Sequence, residues 1–203
     1  MKGAPKSLWS ALFFARLLER HYSMSRIAVF IDGAYLEFLL RQEFGAPKID
    51  FELLVRRIAG SHDLLRTYYY DCLPFQSEPV TEDERHRFSR RQAFHTALAR
   101  IPRFQLRLGK LARRQDDGKL RYEQKRVDIL LAVDLVQLAS KHQITDAALL
   151  AGDSDFLPAI EVAKSEGAII HLFHGRAPHD ELRVCCDERT RIDRVLIDAI
   201  RLA

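Results

Sequence analysis

Aspartates stand directly after two apolar runs of this sequence, and two more sit inside an apolar helical stretch. Asp32 follows Ile27-Ala28-Val29-Phe30-Ile31, which reads as a buried strand. Asp153 and Asp155 follow Ala147-Ala148-Leu149-Leu150-Ala151, a second such run. Asp128 and Asp134 belong to Val127–Ser140, otherwise apolar and helical in pattern. Carboxylates at strand ends that meet in one cleft bind a divalent cation, because hard cations such as Mg²⁺ prefer oxygen ligands. In an open parallel sheet, ligands sit at the carboxyl ends of the strands. The chemistry expected is metal-assisted cleavage of a phosphodiester.

Each aspartate also has a purely structural reading. Asp32 is placed to cap a helix starting near Ala34, with Gly33 allowing a tight turn. Gly152-Asp153-Ser154-Asp155 reads equally as a turn, with Asp155 capping a helix at Phe156 and Pro158 in its first turn. Asp128 suits a helix N-terminus, where the dipole favours a carboxylate. Two such termini on apolar strands tip the balance toward a shared site. Asp134 lies six residues beyond Asp128, about 600° around a helix and so about 120° away. It is expected one layer out from any metal, or to be purely structural. His171 and His174 are three apart on a strand and should face opposite sides, which argues against a joint metal pair. Tyr68, Tyr69 and Tyr70 alternate within a strand and read as core and sheet-edge residues.

The positioning elements alternate between strand and helix patterns. Strands are expected over Arg26–Ile31, Leu64–Asp71, Ala147–Ala151 and Ala168–Phe173. Helices are expected over Ala34–Glu43, Phe51–Ala59, Val127–Ser140, Phe156–Glu166 and Arg189–Leu202. Thr81-Glu82-Asp83-Glu84 is a capping-box pattern opening a long helix to about Arg100. Asp117-Gly118 marks the turn of a hairpin between Gln105–Arg113 and Lys119–Lys125. Strands separated by helices imply a mainly parallel sheet with helices on both faces.

The chain of 203 residues is long enough for one well-cored domain. Its net charge of +4 is unevenly spread. Residues 85–126 hold fourteen Lys/Arg against three Asp/Glu, a net +11, so the remainder is −7. A basic lobe beside an acidic remainder suits a polyanion held by cations and cut at a metal site. The bland counterpart is a solvated Arg-rich helix and hairpin. Cys72, Cys185 and Cys186 form no disulfide framework, so a reduced cytoplasmic setting is the default. Leu8–Leu18 is apolar but broken by Arg16 and too short to span a bilayer. Residues 1–23 are expected to be either an extension outside the native domain or a loosely attached amphipathic helix, with the domain itself covering 24–203.

Val29-Phe30-Ile31-Asp32-Gly33-Ala34-Tyr35, Lys125-Arg126-Val127-Asp128-Ile129 with Asp134, and Gly152-Asp153-Ser154-Asp155-Phe156 together resemble the NYN domain family. The resemblance is to its LabA-like branch, within the PIN-like nuclease superfamily, and runs from about Arg26 to Asp187. It implies a Rossmann-like, three-layer PIN/NYN α/β fold carrying the basic β-hairpin as an insertion. It also implies a Mg²⁺- or Mn²⁺-dependent ribonuclease site built from Asp32, Asp128, Asp153 and Asp155. Many relatives carry Asn where this chain has Tyr35, and Gly where it has Arg126. On this reading Ser154 supports the site from one layer out, as Asp134 would. Lys125 and Arg126 neutralise phosphate at the cleft. Arg113, Arg114 and Arg121 on the hairpin, and Arg87, Arg90 and Arg91 on the long helix, track the nucleic-acid backbone. The expected partner is single-stranded RNA, with a homodimer allowed and no membrane. A catalytically silent RNA-binding module of the same fold is the alternative. A haloacid-dehalogenase-like phosphatase ranks low, because Ala34 stands where its second aspartate is needed.

Overall fold

The computed structural model describes residues 25–116 and 119–202, with the backbone alone over 111–125. Seven strands form one sheet in the order β4-β3-β2-β1-β5-β6-β7. They are β1 Arg26–Asp32, β2 Asp63–Cys72, β3 Phe104–Asp116, β4 Lys119–Lys125, β5 Asp146–Leu150, β6 Ile169–His174 and β7 Glu188–Arg191. Six are parallel, and β4 alone runs antiparallel, against β3. The helices are α1 Gly33–Phe44, α2 Phe51–Ala59, α3 Glu82–Ala99, α4 Val127–Ser140, α5 Leu157–Ser165, α6 Asp180–Cys185 and α7 Arg194–Ala199.

The sheet is covered on both faces, which is why β1 and β5 read as unbroken apolar runs rather than alternating ones. Ala28 and Phe30 of β1 join the core beneath α4, α5 and α6. Ile27, Val29 and Ile31 join the core beneath α1, α2, α3 and α7. The tyrosines of β2 divide in the same way. Tyr68 and Tyr70 face the α4 side, where Tyr68 stacks on Phe30 at 5.5 Å. Tyr69 meets Phe51 and Phe94 edge-on at 5.7 and 5.8 Å on the opposite side.

Chain order reverses on either side of β1, whose neighbours are β2 and β5. Such a switch point opens a crevice at the carboxyl ends of the two diverging strands. Asp32 ends β1, and Gly152–Asp155 follow β5, so both motifs open onto that crevice.

The two arms of the expected hairpin pair, with Arg114 opposite Arg121 in the backbone register, and Asp117-Gly118 lie outside the described residues. β3 pairs with β2 only as far as Gly109, opposite Cys72. Lys110–Asp116 pair with β4 alone, so the hairpin runs on past the carboxyl edge of the sheet by about 20 Å. β4 returns with Lys125 opposite Lys110 and leads directly into α4.

Two expectations need correction. The single C-terminal helix over Arg189–Leu202 is instead β7 followed by α7. Asp193 accepts from the Leu196 amide at 2.8 Å and starts α7 late, while Glu188–Arg191 pair with β6 although every side chain is exposed. Short, charged strands of this kind are normal at a sheet edge. Gly33 is not a turn glycine either. A Cβ there would stand 2.7 Å from the Tyr70 carbonyl oxygen and 2.8 Å from the Tyr69 ring, so close packing demands glycine.

Candidate active site at the carboxyl ends of the central strands

Asp32 is both a helix cap and a member of a carboxylate cluster. Its Oδ1 accepts from the amides of Ala34 at 2.9 Å and Tyr35 at 3.1 Å. Its Oδ2 has no hydrogen-bond partner among the described residues, so capping leaves one oxygen for other work. Burial pushes the Asp32 carboxyl up to about 6, the Asp128 and Asp153 charges add to this, and the two amides only partly offset it. Asp128, in the first turn of α4, is also raised, by burial and then by Asp153 and Asp155. Asp128 and Asp153 thus act on Asp32, and Asp153 and Asp155 on Asp128. None of them forms a salt bridge among the described residues.

The loop after β5 is held by Tyr35. A Cβ on Gly152 would lie 2.2 Å from the Tyr35 ring, and the Tyr35 hydroxyl accepts from the Gly175 amide at 3.0 Å. Asp153 then caps the short 3-10 turn Ser154–Phe156, accepting from the Asp155 amide at 3.1 Å. The capping role expected of Asp155 is not seen: α5 starts with Pro158 in its first turn and has no side-chain cap. Asp128, Ser154 and Asp155 line one open cleft of about 630 Å³. Glu181 of α6 lines it too and was not foreseen, since a six-residue helix leaves little periodic signal.

No three of the four aspartates place one oxygen each within 4.8 Å of one another among the described residues. That spacing does not suit a dry, four-carboxylate cage. A hydrated ion, held by one or two carboxylates and keeping several waters, is the form such spacing leaves open.

Asp71, at the carboxyl end of β2, is the opposite case. It is fully buried, yet His95 and Arg91 hold its carboxyl below the usual range despite that burial. His95 Nε2 lies 2.6 Å from Asp71 Oδ2, and Arg91 donates to Oδ1 at 2.7 Å. A structural strand-end aspartate in this fold is thus matched by an arginine and a histidine, and Asp32 has no such partner among the described residues.

These contacts revise two expected roles. Arg91 also pairs with Glu37 at 3.2 Å, so its guanidinium is committed to carboxylates rather than to tracking a phosphate backbone. Arg87 and Arg90 stay exposed and line a neighbouring cavity of about 420 Å³ with Arg41. Asp134 is buried away from the cleft lining. It accepts from the Tyr70 hydroxyl at 2.9 Å and from Arg107 Nε at 2.7 Å and Nη2 at 3.1 Å, a fork that ties β2, β3 and α4 together. Arg126 precedes α4 in a left-handed conformation, φ 77°, which a glycine adopts more easily. The side chains of Lys125, Arg113, Arg114 and Arg121 lie outside the described residues.

The NYN domain family model matches residues 26–193, the whole span of this sheet and its cleft. The chain belongs to the NYN domain family. NYN domains fall within the PIN-like nuclease superfamily. An 80-residue stretch is 35% identical to the uncharacterized protein y4oD of Sinorhizobium fredii, covering 39% of this chain and 34% of that protein. A crystal structure of a Vibrio parahaemolyticus protein of unknown function shares the fold, with a TM-score of 0.65 and 16% identity. That match covers 88% of this chain and 97% of the Vibrio chain.

This NYN domain carries a second group of ligand-type side chains at the opposite, amino end of the sheet: His62, Asp146 and His171. The sequence pairing of His171 with His174 pointed away from it. His174 turns its Nδ1 to the Gly175 carbonyl at 2.7 Å, and the true neighbour of His171 is more than a hundred residues upstream. No helix among the described residues is long and apolar enough to cross a membrane.

Proposed function

We propose that this NYN domain is a divalent-metal-dependent ribonuclease of the LabA-like kind, acting in the cytoplasm on single-stranded RNA. One observation carries the reading. Neighbouring carboxylates at the switch point help to raise the proton affinity of Asp32 and Asp128, and the four aspartates lack cation partners among the described residues, whereas Asp71 nearby is fully matched. Asp32 and Asp128 are half-buried and Asp153 and Asp155 exposed, so the cost falls on the first two. Crowding of like charge at a half-buried carboxylate is costly, and it persists where function uses it.

Of Asp32, through its Oδ2, Asp128, Asp153 and Asp155, one or two would hold a hydrated Mg²⁺ or Mn²⁺ directly and the others through its waters. Such an ion supplies an activated water and neutralises charge on the phosphate. The protein's own part is placement. Asp32 is fixed by its cap, Asp153 by the 3-10 turn, and the Gly152 loop by Tyr35. Ser154 lines the cleft with a hydroxyl able to donate to a phosphate oxygen. Lys125 and Arg126 lie at the start of α4 beside Asp128, where they would hold the adjacent phosphate. Arg87, Arg90 and the hairpin arginines 113, 114 and 121 would carry the rest of the strand.

The test is cleavage of end-labelled single-stranded RNA by wild type and Asp153→Asn, with Mg²⁺, with Mn²⁺ and with chelator. Asparagine keeps the shape and removes the charge. Metal-dependent cleavage lost in the variant is expected. Wild-type cleavage by Asp153→Asn, or cleavage in chelator, overturns the assignment. RNA binding without any cleavage would identify the silent binding module instead.

A further inference from the structure

Outside the carboxylate cleft, ligand-type side chains converge at the amino edge of the sheet. His62 in the α2–β2 turn, Asp146 at the start of β5 and His171 in β6 each offer one ligand atom, all within 4.8 Å of one another. The ring orientations are already set by other contacts. His62 Nδ1 lies 2.8 Å from the Ala59 carbonyl oxygen, which only accepts, so that nitrogen carries the proton. A neutral His62 then turns the lone pair of Nε2 toward Asp146 Oδ1, 3.5 Å away. His171 has a carboxylate oxygen against each nitrogen: Glu188 Oε2 at 3.0 Å from Nδ1, and Asp146 Oδ1 at 2.7 Å from Nε2. A neutral imidazole has one proton for these two acceptors. With Nδ1–H given to Glu188, the second lone pair also faces Asp146.

In that tautomer two imidazole lone pairs and a carboxylate oxygen converge on one point, where a cation would take the place of the proton that His171 Nε2 otherwise donates to Asp146 at 2.7 Å. Asp146 is aimed from behind, since its Oδ2 accepts from Ser25 Oγ and, at 2.7 Å, from Thr145 Oγ1. The outer contacts are those of metal-bound histidines, which donate their second ring N–H to a carboxylate or a backbone carbonyl. We infer that His62 Nε2, His171 Nε2 and Asp146 Oδ1 form a site for a zinc-type transition-metal ion, with Glu188 and the Ala59 carbonyl orienting the histidines.

The donor set decides the class of ion. Two nitrogens and one oxygen suit Zn²⁺ and its first-row neighbours, whereas Mg²⁺ takes oxygen donors. Bonds of 2.0–2.1 Å at tetrahedral angles need ligand atoms about 3.3 Å apart, so His171 and Asp146 would separate by about half an ångström on binding. The fourth position is open to solvent on the His62 side, whose side chain is 26% exposed against 4% for Asp146. A bound ion would join β5, β6 and the α2–β2 turn at the end of the sheet away from the aspartate cleft, a strand length of about 17 Å. The site is independent of the nuclease reading.

The experiment is equilibrium Zn²⁺ binding to the untagged full chain in excess Mg²⁺, by competition with a chromophoric chelator. Thermal unfolding is followed in parallel. Wild type should bind one equivalent, and its melting midpoint should rise by about 5–10 °C at a hundredfold excess over Kd. His62→Ala should weaken binding at least about tenfold. Glu188→Gln should weaken it by about 10–100-fold with the fold untouched, since Glu188 is exposed. Asp153→Asn should bind zinc as wild type does. Absence of zinc binding in wild type overturns the site. Equal binding in His62→Ala and Glu188→Gln overturns it as well, because the ion would then sit elsewhere.

Discussion

The Tyr35 ring packs so closely on Gly152 that a Cβ at position 152 would stand 2.2 Å from its edge. This contact spans the switch point: Tyr35 opens α1 just after Asp32, and Gly152 opens the loop carrying Asp153 and Asp155. Gly152→Ala should therefore destabilise the protein by about 1–3 kcal/mol through overpacking. It should also displace the Asp153 loop and lower cleavage. Introducing Tyr35→Leu into that variant should recover part of the missing stability, since the two residues touch. Chemical denaturation of both single variants and the double variant measures the coupling, and strict additivity would refute the role of this packing.

Asp32 carries a pH signature. Its carboxyl is raised from 3.8 in the unfolded chain to about 6, so the folded state holds the proton more tightly between those values. Metal-free stability should then fall as pH rises from about 4 to about 6 and stay lowered above that. The deficit is at most about 3 kcal/mol. Asp32→Asn keeps a capping side chain and removes the charge. It should raise the melting temperature by several degrees near pH 7.5 and change it little near pH 4, as read by calorimetry in chelator.

Asp134 should behave as a structural residue. Asp134→Ala leaves the Tyr70 hydroxyl and the Arg107 fork without their acceptor. Breaking a buried pair costs about 3–5 kcal/mol, and Arg107's partial exposure lowers this to about 2–3. Cleavage per folded molecule should persist. Loss of cleavage in protein shown to be folded by circular dichroism would return Asp134 to the active site.

The hairpin arginines should govern salt dependence. Replacing Arg113, Arg114 and Arg121 by Glu should weaken binding of single-stranded RNA without altering its sequence preference. The slope of log affinity against log salt should become shallower by about 2, near 0.7 for each phosphate no longer neutralised. A salt titration in chelator reads this without cleavage. An unchanged slope would confine the polyanion path to Arg87, Arg90 and the start of α4.

The local elements, and the residue types at their ends, were legible along the chain. β1 and β5 announced themselves as apolar runs, because strands buried on both faces need no polar alternation. Thr81 and Glu84 spelled a capping box, and both halves form, at 3.3 and 3.0 Å. Asp32, Asp153 and Asp155 stood out because a carboxylate after an apolar run is costly without a purpose, and Asp128 because it opens an otherwise apolar helix. Which charges meet was settled only by the packing of the folded chain. Arg91 was one arginine among many until Asp71, buried on the neighbouring strand, claimed it. β7 has no apolar residue to mark it and exists because β6 offers an open edge. His62, Asp146 and His171 lie on three elements far apart in the chain. Periodicity and capping act over a few residues, and so can be read along the chain. Charge pairing and ligand convergence act through space, and the order of strands in the sheet fixes them.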